Sequence, residues 1–506
     1  MSAATVIREA RLVPVGAPAP TDDAVDIRIA DGRITEVAPE LRPQAGEEVV
    51  DAAGRWAIPG LWDQHVHMRQ WAETRNRLDV SGTADPSEVT RVVSAHLADS
   101  PPRPPGAVVV GFGYRSATWP RPPTVAELDA VSGDRAVALV SGDAHNGWLN
   151  SRALESLGLP ARLGVLDERE WFPVFSRLSD LTTSRESTDV GYRAAVEAAA
   201  ALGVVGIVDF EFGPGYREWP GRVADGIDQL RVRPAAYPEG LEEVIASGLR
   251  SGQSLPGSGG LVTMGPLKII GDGSLNTRTA FCCEPFADAH DLELPRGKQN
   301  FGDAELVRLL RWADATGLEV AVHAIGDAAA ASSLYAFAAT GARGSIEHVQ
   351  LIRWEDIPRM SRVGVRASVQ PAHLYDDRDV TERCWPDRSD RCFLLRSLLD
   401  AGVTLAMGSD APVARLDPWL AMAAAVHRSG DEREPWHPAQ SLTAAEALAA
   451  STDGQRTLAS GNRGDVVLLD EDPLRPFADS AATSAHLKGM PVAATFVGGR
   501  PTHREH

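Results

Sequence analysis

LEVAVHAIGDAAAASSLYAFAATGARGSIEHV, residues 318–349, contains a complete strand–helix–strand unit. Its ends, LEVAVHAI (318–325) and RGSIEHV (343–349), are short apolar runs of strand length, and the Ala-rich stretch 327–340 between them has helical length. Parallel strands require a crossover of this kind. Each run carries a histidine near its end, His323 and His348, and their separation of 25 residues suits one βα repeat.

The same rhythm extends in both directions. Strands are expected near 57–66, 204–210, 231–237, 263–270, 364–370 and 402–409, and helices over 187–202, 303–316, 354–362 and 390–401. Eight strands with intervening helices predict an α/β fold of the (β/α)8 TIM-barrel type. Residues 70–190 break the rhythm with a Pro-rich linker, PPRPPG (101–106), and their own strand candidates VVVGFGY and AVALVSGD. They read as an insertion capping the barrel mouth.

The two ends have a different texture. Residues 1–56 alternate apolar and polar positions around an Asp31-Gly32 turn, and 456–506 contain GDVVLLD (464–470) and VAATFVGGRP (492–501). Neither end can bury both faces of a sheet alone. The expected organisation is a composite β-sandwich from 1–56 and 456–506, with the barrel, 57–455, inserted between them.

Composition narrows the function. The chain has 506 residues, 43% hydrophobic and 24% charged, which is ordinary globular usage. Lys and Arg number 50 against 69 Asp and Glu, a net charge of −19, so no nucleic-acid or anionic membrane partner is expected. Four cysteines, at 282, 283, 384 and 392, have neither disulfide-scaffold nor zinc-finger spacing. Arg8 and Glu9 interrupt the N-terminal segment where a signal peptide needs apolar residues, and the longest apolar window, 194–210, contains Glu197 and Asp209. A cytoplasmic enzyme is expected, with a homodimer as the default assembly.

The chemistry begins with His65-Val66-His67. Residues i and i+2 of a strand face the same side, so both imidazoles point one way. His323, His348 and Asp410 close three other predicted strands, and Lys268 lies near the end of PLKII. In a barrel those ends converge on one face. Four imidazoles and a carboxylate form a ligand set for zinc or a similar divalent ion. GDGSL lacks the second glycine of a nucleophile elbow, and Gly111-Phe112-Gly113 is only a fragment of a dinucleotide fingerprint.

These stretches resemble the amidohydrolase superfamily, in the amidohydrolase family 3 branch that includes N-substituted formamide deformylase. The matching segments are PGLWDQHVHM (59–68), SGDAHNGWLNSRAL (141–154), LKIIGDGSLNTRTAFCCEPF (267–286), HAIGD (323–327), IEHVQL (346–351), SVQPAH (368–373), GSDAPV (408–413) and GDVVLLDEDPL (464–474). The resemblance implies that His65, His67, Lys268, His323, His348 and Asp410 bind two divalent ions, zinc first and Mn, Fe or Co as alternatives. It also implies that Lys268 is carbamylated and bridges them. The alternative for Lys268 is an ordinary ammonium paired with Asp272, with a single ion.

The implied activity is hydrolysis of a non-peptide C–N bond, in an amide or N-substituted formamide, by metal-activated hydroxide, with Asp410 accepting the proton of the attacking water. A deaminase or cyclic-amide hydrolase of the same superfamily is the first alternative and a noncatalytic scaffold the second. His145 and His373 are candidates to touch a small amide-type substrate, His145 having a structural role as its alternative. Asp272 and Arg278 either bind a carboxylate-bearing substrate or brace their loop by a salt bridge. Trp71, Trp119, Trp148 and Trp171 line an apolar pocket or pack internally, and Cys282 and Cys283 have no evident base beside them.

Overall fold

The computed structural model describes residues 4–74, 78–99, 108–167, 170–171, 173–175, 178, 185–290 and 292–505. PPRPPG (101–106) lies outside them.

The N-terminal segment forms β1 (Thr5–Leu12), β2 (Val25–Ala30), β3 (Arg33–Ala38), β4 (Glu48–Asp51) and β5 (Trp56–Pro59). The β2–β3 hairpin turns at Asp31 and Gly32, with φ of +50° and +74°, the left-handed pair that a two-residue Asp-Gly turn favours. Next come β6 (Leu61–Val66), then β7 (Leu78–Asp79), β8 (Val108–Tyr114), β9 (Ala136–Ser141) and β10 (Gly147–Leu149) within the insertion. The central strands are β11 (Val204–Asp209), β12 (Arg231–Pro234), β13 (Leu267–Ile270), β14 (Val320–Ala324), β15 (Gly344–His348), β16 (Arg366–Val369) and β17 (Leu405–Met407). The C-terminus adds β18 (Val466–Leu469), β19 (Val492–Val497) and β20 (Arg500–Arg504).

The two ends of the chain share one eight-stranded sheet, ordered β20-β19-β18-β5-β1-β2-β3, with β4 on β1. β1 changes partners midway: residues 5–8 pair with β4 and residues 11–12 with β5, and the switch falls at Glu9, whose φ is +56°. Apolar residues from both parts, including Ile7, Ile27, Val466 and Phe496, pack into one cluster.

The expected strand 57–66 is therefore two strands. β5 belongs to the sheet of the termini and β6 to the central strands, so the crossing between them falls at Gly60 rather than at residue 56. A Cβ at Gly60 would lie 2.3 Å from the Val205 side chain, so only glycine lets the chain cross there. The expected helix 390–401 is also shorter: a single turn at Ser389–Arg391 precedes a helix over Leu395–Asp400.

The central strands form two parallel arcs, β6-β11-β12 and β13-β14-β15-β16-β17. Single parallel bridges, Val66 with Ala411 and Ala236 with Leu267, join the edges of the arcs. The largest apolar cluster draws on both arcs and on the helices outside them, such as Asp303–Thr316. Residues 70–190 contribute a separate sheet, β10-β9-β8-β7, with its own apolar clusters. Trp71, Trp119, Trp148 and Trp171 are at most 8% exposed and pack internally; Trp148 donates to the Thr124 carbonyl and Trp171 to that of Ala144. Among the described residues no helix is long and apolar enough to cross a membrane.

Candidate metal centre

The ends of three central strands, a position deeper in a fourth, and the turn that follows a fifth bring the predicted ligands together. β6 carries His65, with His67 just beyond it, β13 carries Lys268, β14 carries His323 and β15 ends on His348. Asp410 follows β17. Strand register sets their relative depth: His323 pairs with Glu347 and Ala324 with His348, whereas Lys268 pairs with Ala321, two positions before His323. Backbone bonds from Asp410 N to the His65 carbonyl (2.7 Å) and from His67 N to the Ala411 carbonyl (2.8 Å) fix the first strand against the last.

The donor geometry is compact. One ligand atom each from His65, His348 and Asp410 lie within 4.8 Å of one another. His65 Nε2 is 3.5 Å and His67 Nε2 3.4 Å from Asp410 Oδ1, and Lys268 Nζ is 3.2 Å from His65 Nε2. The His323 and His348 rings are edge to face with centroids 4.4 Å apart. Lys268 Nζ also lies 4.0 Å from the centre of the Phe210 ring.

The set fits a cation on the structure's own terms. Asp410 Oδ1, His67 Nδ1 and His348 Nδ1 are buried without hydrogen-bond partners. A buried carboxylate oxygen packed against imidazole nitrogens without a hydrogen bond is costly unless a positive charge lies between them. Burial, reinforced by the Lys268 charge, pushes His65 and His348 well below their ordinary range and His323 to about 3. All three imidazoles are thus neutral, as metal ligands must be. Burial alone would raise the Asp410 carboxyl, but any proton entering the cluster settles on an imidazole, and the attraction of that charge together with the His67 hydrogen bond holds Asp410 well below the usual carboxylate range.

Several side chains behind the ligands orient them. Glu347 Oε2 lies 2.8 Å from His65 Nδ1, which leaves Nε2 for the centre. Asp63 accepts from Ser409 N (2.9 Å) and His65 N (3.1 Å), and burial raises its carboxyl to about 7. His323 Nε2 lies 3.2 Å from the Gly273 carbonyl; that bond requires the Nε2–H tautomer and leaves the Nδ1 lone pair for a metal. Neither Glu347 nor Asp63 was singled out from the sequence, although each stands one or two residues before a ligand.

Asp272 and Arg278 are engaged away from the cavity wall. Asp272 is fully buried and accepts from the amides of Phe281, Ile325 and Gly326, and its Oδ1 is 3.4 Å from His323 Nε2. Arg278 pairs with Asp288 (2.9 Å) and donates to the Asn276 carbonyl, which braces the loop. His145 and His373 do line the cavity, alongside His323, His348 and Asp410. His373 Nε2 is 3.3 Å from the Ser409 carbonyl and 4.0 Å from Asp410 Oδ2. The cavity is narrow and open at its mouth. Cys282, Cys384 and Cys392 are buried and Cys283 partly so; burial raises all four thiols, which removes them as nucleophiles.

Comparison with known proteins agrees with this arrangement. A model of the amidohydrolase family matches residues 48–503, and the chain belongs to that family. It is 26% identical over 494 residues to the putative amidohydrolase YtcJ of Bacillus subtilis (strain 168), covering 90% of each chain. It is 25% identical over 527 residues to the N-substituted formamide deformylase of Arthrobacter pascens, covering 94% of each. Among solved structures it is similar to an uncharacterized metal-dependent hydrolase from Pyrococcus horikoshii OT3 (TM-score 0.75, 24% identity, 96% of this chain and 99% of that one). A second, from Pyrococcus furiosus, has a TM-score of 0.73 at 23% identity and covers 93% of this chain and 100% of that one.

Proposed function

We propose that this protein is a metal-dependent hydrolase that cleaves a non-peptide C–N bond, in an amide or N-substituted formamide. The observation that carries the reading is the unpartnered Asp410 Oδ1 held between two imidazole nitrogens at 3.4 and 3.5 Å, beside Lys268 and facing an open cavity. On this reading the two arcs and their bridges form one (β/α)8 barrel, and the site occupies its C-terminal face. The relationship to N-substituted formamide deformylase supports the bond type.

His65, His67, His323, His348 and Asp410 would hold divalent ions, zinc above all, with Lys268 as a carbamate between them. Burial lowers Lys268 to about 8, so a substantial neutral fraction exists near neutral pH, and only the neutral amine adds CO2. The amine's place 3.2 Å from a ligand nitrogen favours this two-ion site over a one-ion deaminase site. When bound, the ions supply Lewis acidity that lowers the pKa of water and polarises a carbonyl.

The chain's own groups do the rest. Asp410, kept ionised at the cavity wall, accepts the proton of the attacking water and returns it to the leaving nitrogen. Glu347 fixes the His65 ring and Asp63 the backbone that presents it. Elemental analysis of the purified protein, followed by a screen of amides and formamides, tests the reading. Near two ions per chain with turnover is expected; absence of metal after reconstitution with zinc and bicarbonate overturns it.

A further inference from the structure

The cavity wall facing the ligands carries charges that the hydrolytic reading leaves unused. Three carboxylates line it, Asp143, Asp376 and Asp377, against one guanidinium, Arg115. Arg115 is already engaged: Nη2 is 3.0 Å from Asp376 Oδ2 and donates to the Val413 carbonyl at 2.8 Å. Two carboxylates are then left without a salt bridge, Asp377 being offset only by the more distant His373 and Arg115. Asp377 is 8% exposed, and its Oδ2 accepts from Gln350 Nε2 at 2.9 Å, a neutral donor. Asp143 spends Oδ1 on Ser141 Oγ (2.6 Å) and His145 N (3.1 Å), while its Oδ2 is buried without a partner.

The loop presenting Asp143 is held firmly in place. Ala144 holds φ of +60°, a conformation that costs a non-glycine residue energy. Trp171 Nε1 and the Ser141 carbonyl clamp that residue at 2.9 Å each. A Cβ on Gly147 would meet Trp171 at 2.2 Å, so the clamp requires glycine there.

We infer that this wall selects a substrate bearing a protonated amine, with Asp377 and Asp143 receiving the cation while the scissile carbonyl faces the histidines. The inference rests on the hydrolytic reading for the position of the carbonyl. A carboxylate-bearing substrate would have to displace Asp376 from Arg115 and leave three carboxylates uncompensated in a partly buried space. A neutral substrate would leave two.

The test uses the full-length, metal-loaded protein with three matched formamides: N-(4-aminobutyl)formamide, N-butylformamide and 4-formamidobutanoate. kcat/KM is expected to fall in that order, by about tenfold or more from the cationic to the neutral compound. In Asp377→Asn and Asp143→Asn that ratio should collapse toward one. Asp376→Asn, at a helix surface position, should free Arg115 and raise the anionic compound relative to the neutral one. Calorimetric binding of butylammonium, expected to weaken in Asp377→Asn, provides a readout independent of turnover. Preference for the neutral or anionic formamide overturns the inference and leaves the hydrolase standing. Butylammonium binding that depends on Asp377, with no formamide turned over, keeps the cation wall and sinks the formamide hydrolase. Butylammonium binding that is absent, or indifferent to Asp377 and Asp143, overturns the cation wall whatever the turnover.

Discussion

His65 Nδ1 and Glu347 Oε2 stand 2.8 Å apart, and both side chains are 1% exposed. A carboxylate on the far nitrogen of a ligating imidazole fixes its tautomer and raises its basicity. Glu347→Leu should therefore weaken metal affinity by about 10–100-fold, and Glu347→Gln, whose amide oxygen still accepts from Nδ1, by less. Competition with a chromophoric chelator measures both. Equal loss in the two variants would mean that the carboxylate charge, rather than the hydrogen bond to Nδ1, supports the ligand.

Asp410 sits at φ of +59°, in the left-handed region that asparagine and aspartate tolerate better than other side chains do. Asp410→Asn thus keeps the backbone and removes only the charge and basicity. Turnover should fall by about 10²–10⁴-fold with the melting temperature little changed. Asp410→Ala should lose stability as well, because alanine has no local hydrogen bond to offset that conformation. Turnover surviving in the Asn variant would remove Asp410 from the proton-transfer role.

The cluster of candidate ligands was legible because parallel strands end on a common face. His65, Lys268, His323 and His348 stand at or near the ends of four strands, and their sequence order is their spatial order. The split at Gly60 was hidden, since an unbroken apolar run is compatible with one strand or two, and Val205, which enforces the glycine, lies 145 positions away. The sequence left Asp272 open between substrate and loop bracing because its partners are backbone amides at 281, 325 and 326, and amides carry no sequence signature. The carboxylates at 376 and 377 begin a helix that reads as a solvated charged turn until the cavity is seen beneath it.

Gly344 links the fold to the site. It opens β15, the strand that ends at His348, with φ of +152°, and a Cβ there would lie 1.8 Å from the Val320 carbonyl oxygen on β14. Backbone cannot yield as a flexible side chain can, so Gly344→Ala must push β15 off its neighbour. A loss of about 1–3 kcal/mol is expected, together with weaker metal retention, because His323 and His348 lie on the two separated strands. Denaturant melts and metal content should fall together; a stable variant with full metal occupancy would show that the strands relax independently of the site.

Lys268 gives stability its pH dependence in the metal-free, CO2-free protein. Burial lowers its amine from the ordinary 10.5 to about 8. Between those values the unfolded chain binds a proton that the folded chain has released, so folding becomes more favourable as pH rises through this window. Below about 8 the fold bears the full cost of a buried ammonium. The gap corresponds to roughly 3 kcal/mol as an upper figure for a side chain 2% exposed. Lys268→Met, of similar length and uncharged, should accordingly be more stable than the parent at pH 7, with the difference shrinking steadily toward pH 10.5. Paired thermal melts after chelation read this directly. A difference that stays constant across the range would place the ammonium in a solvated or fully compensated position and remove the physical basis for proposing that Lys268 is carbamylated.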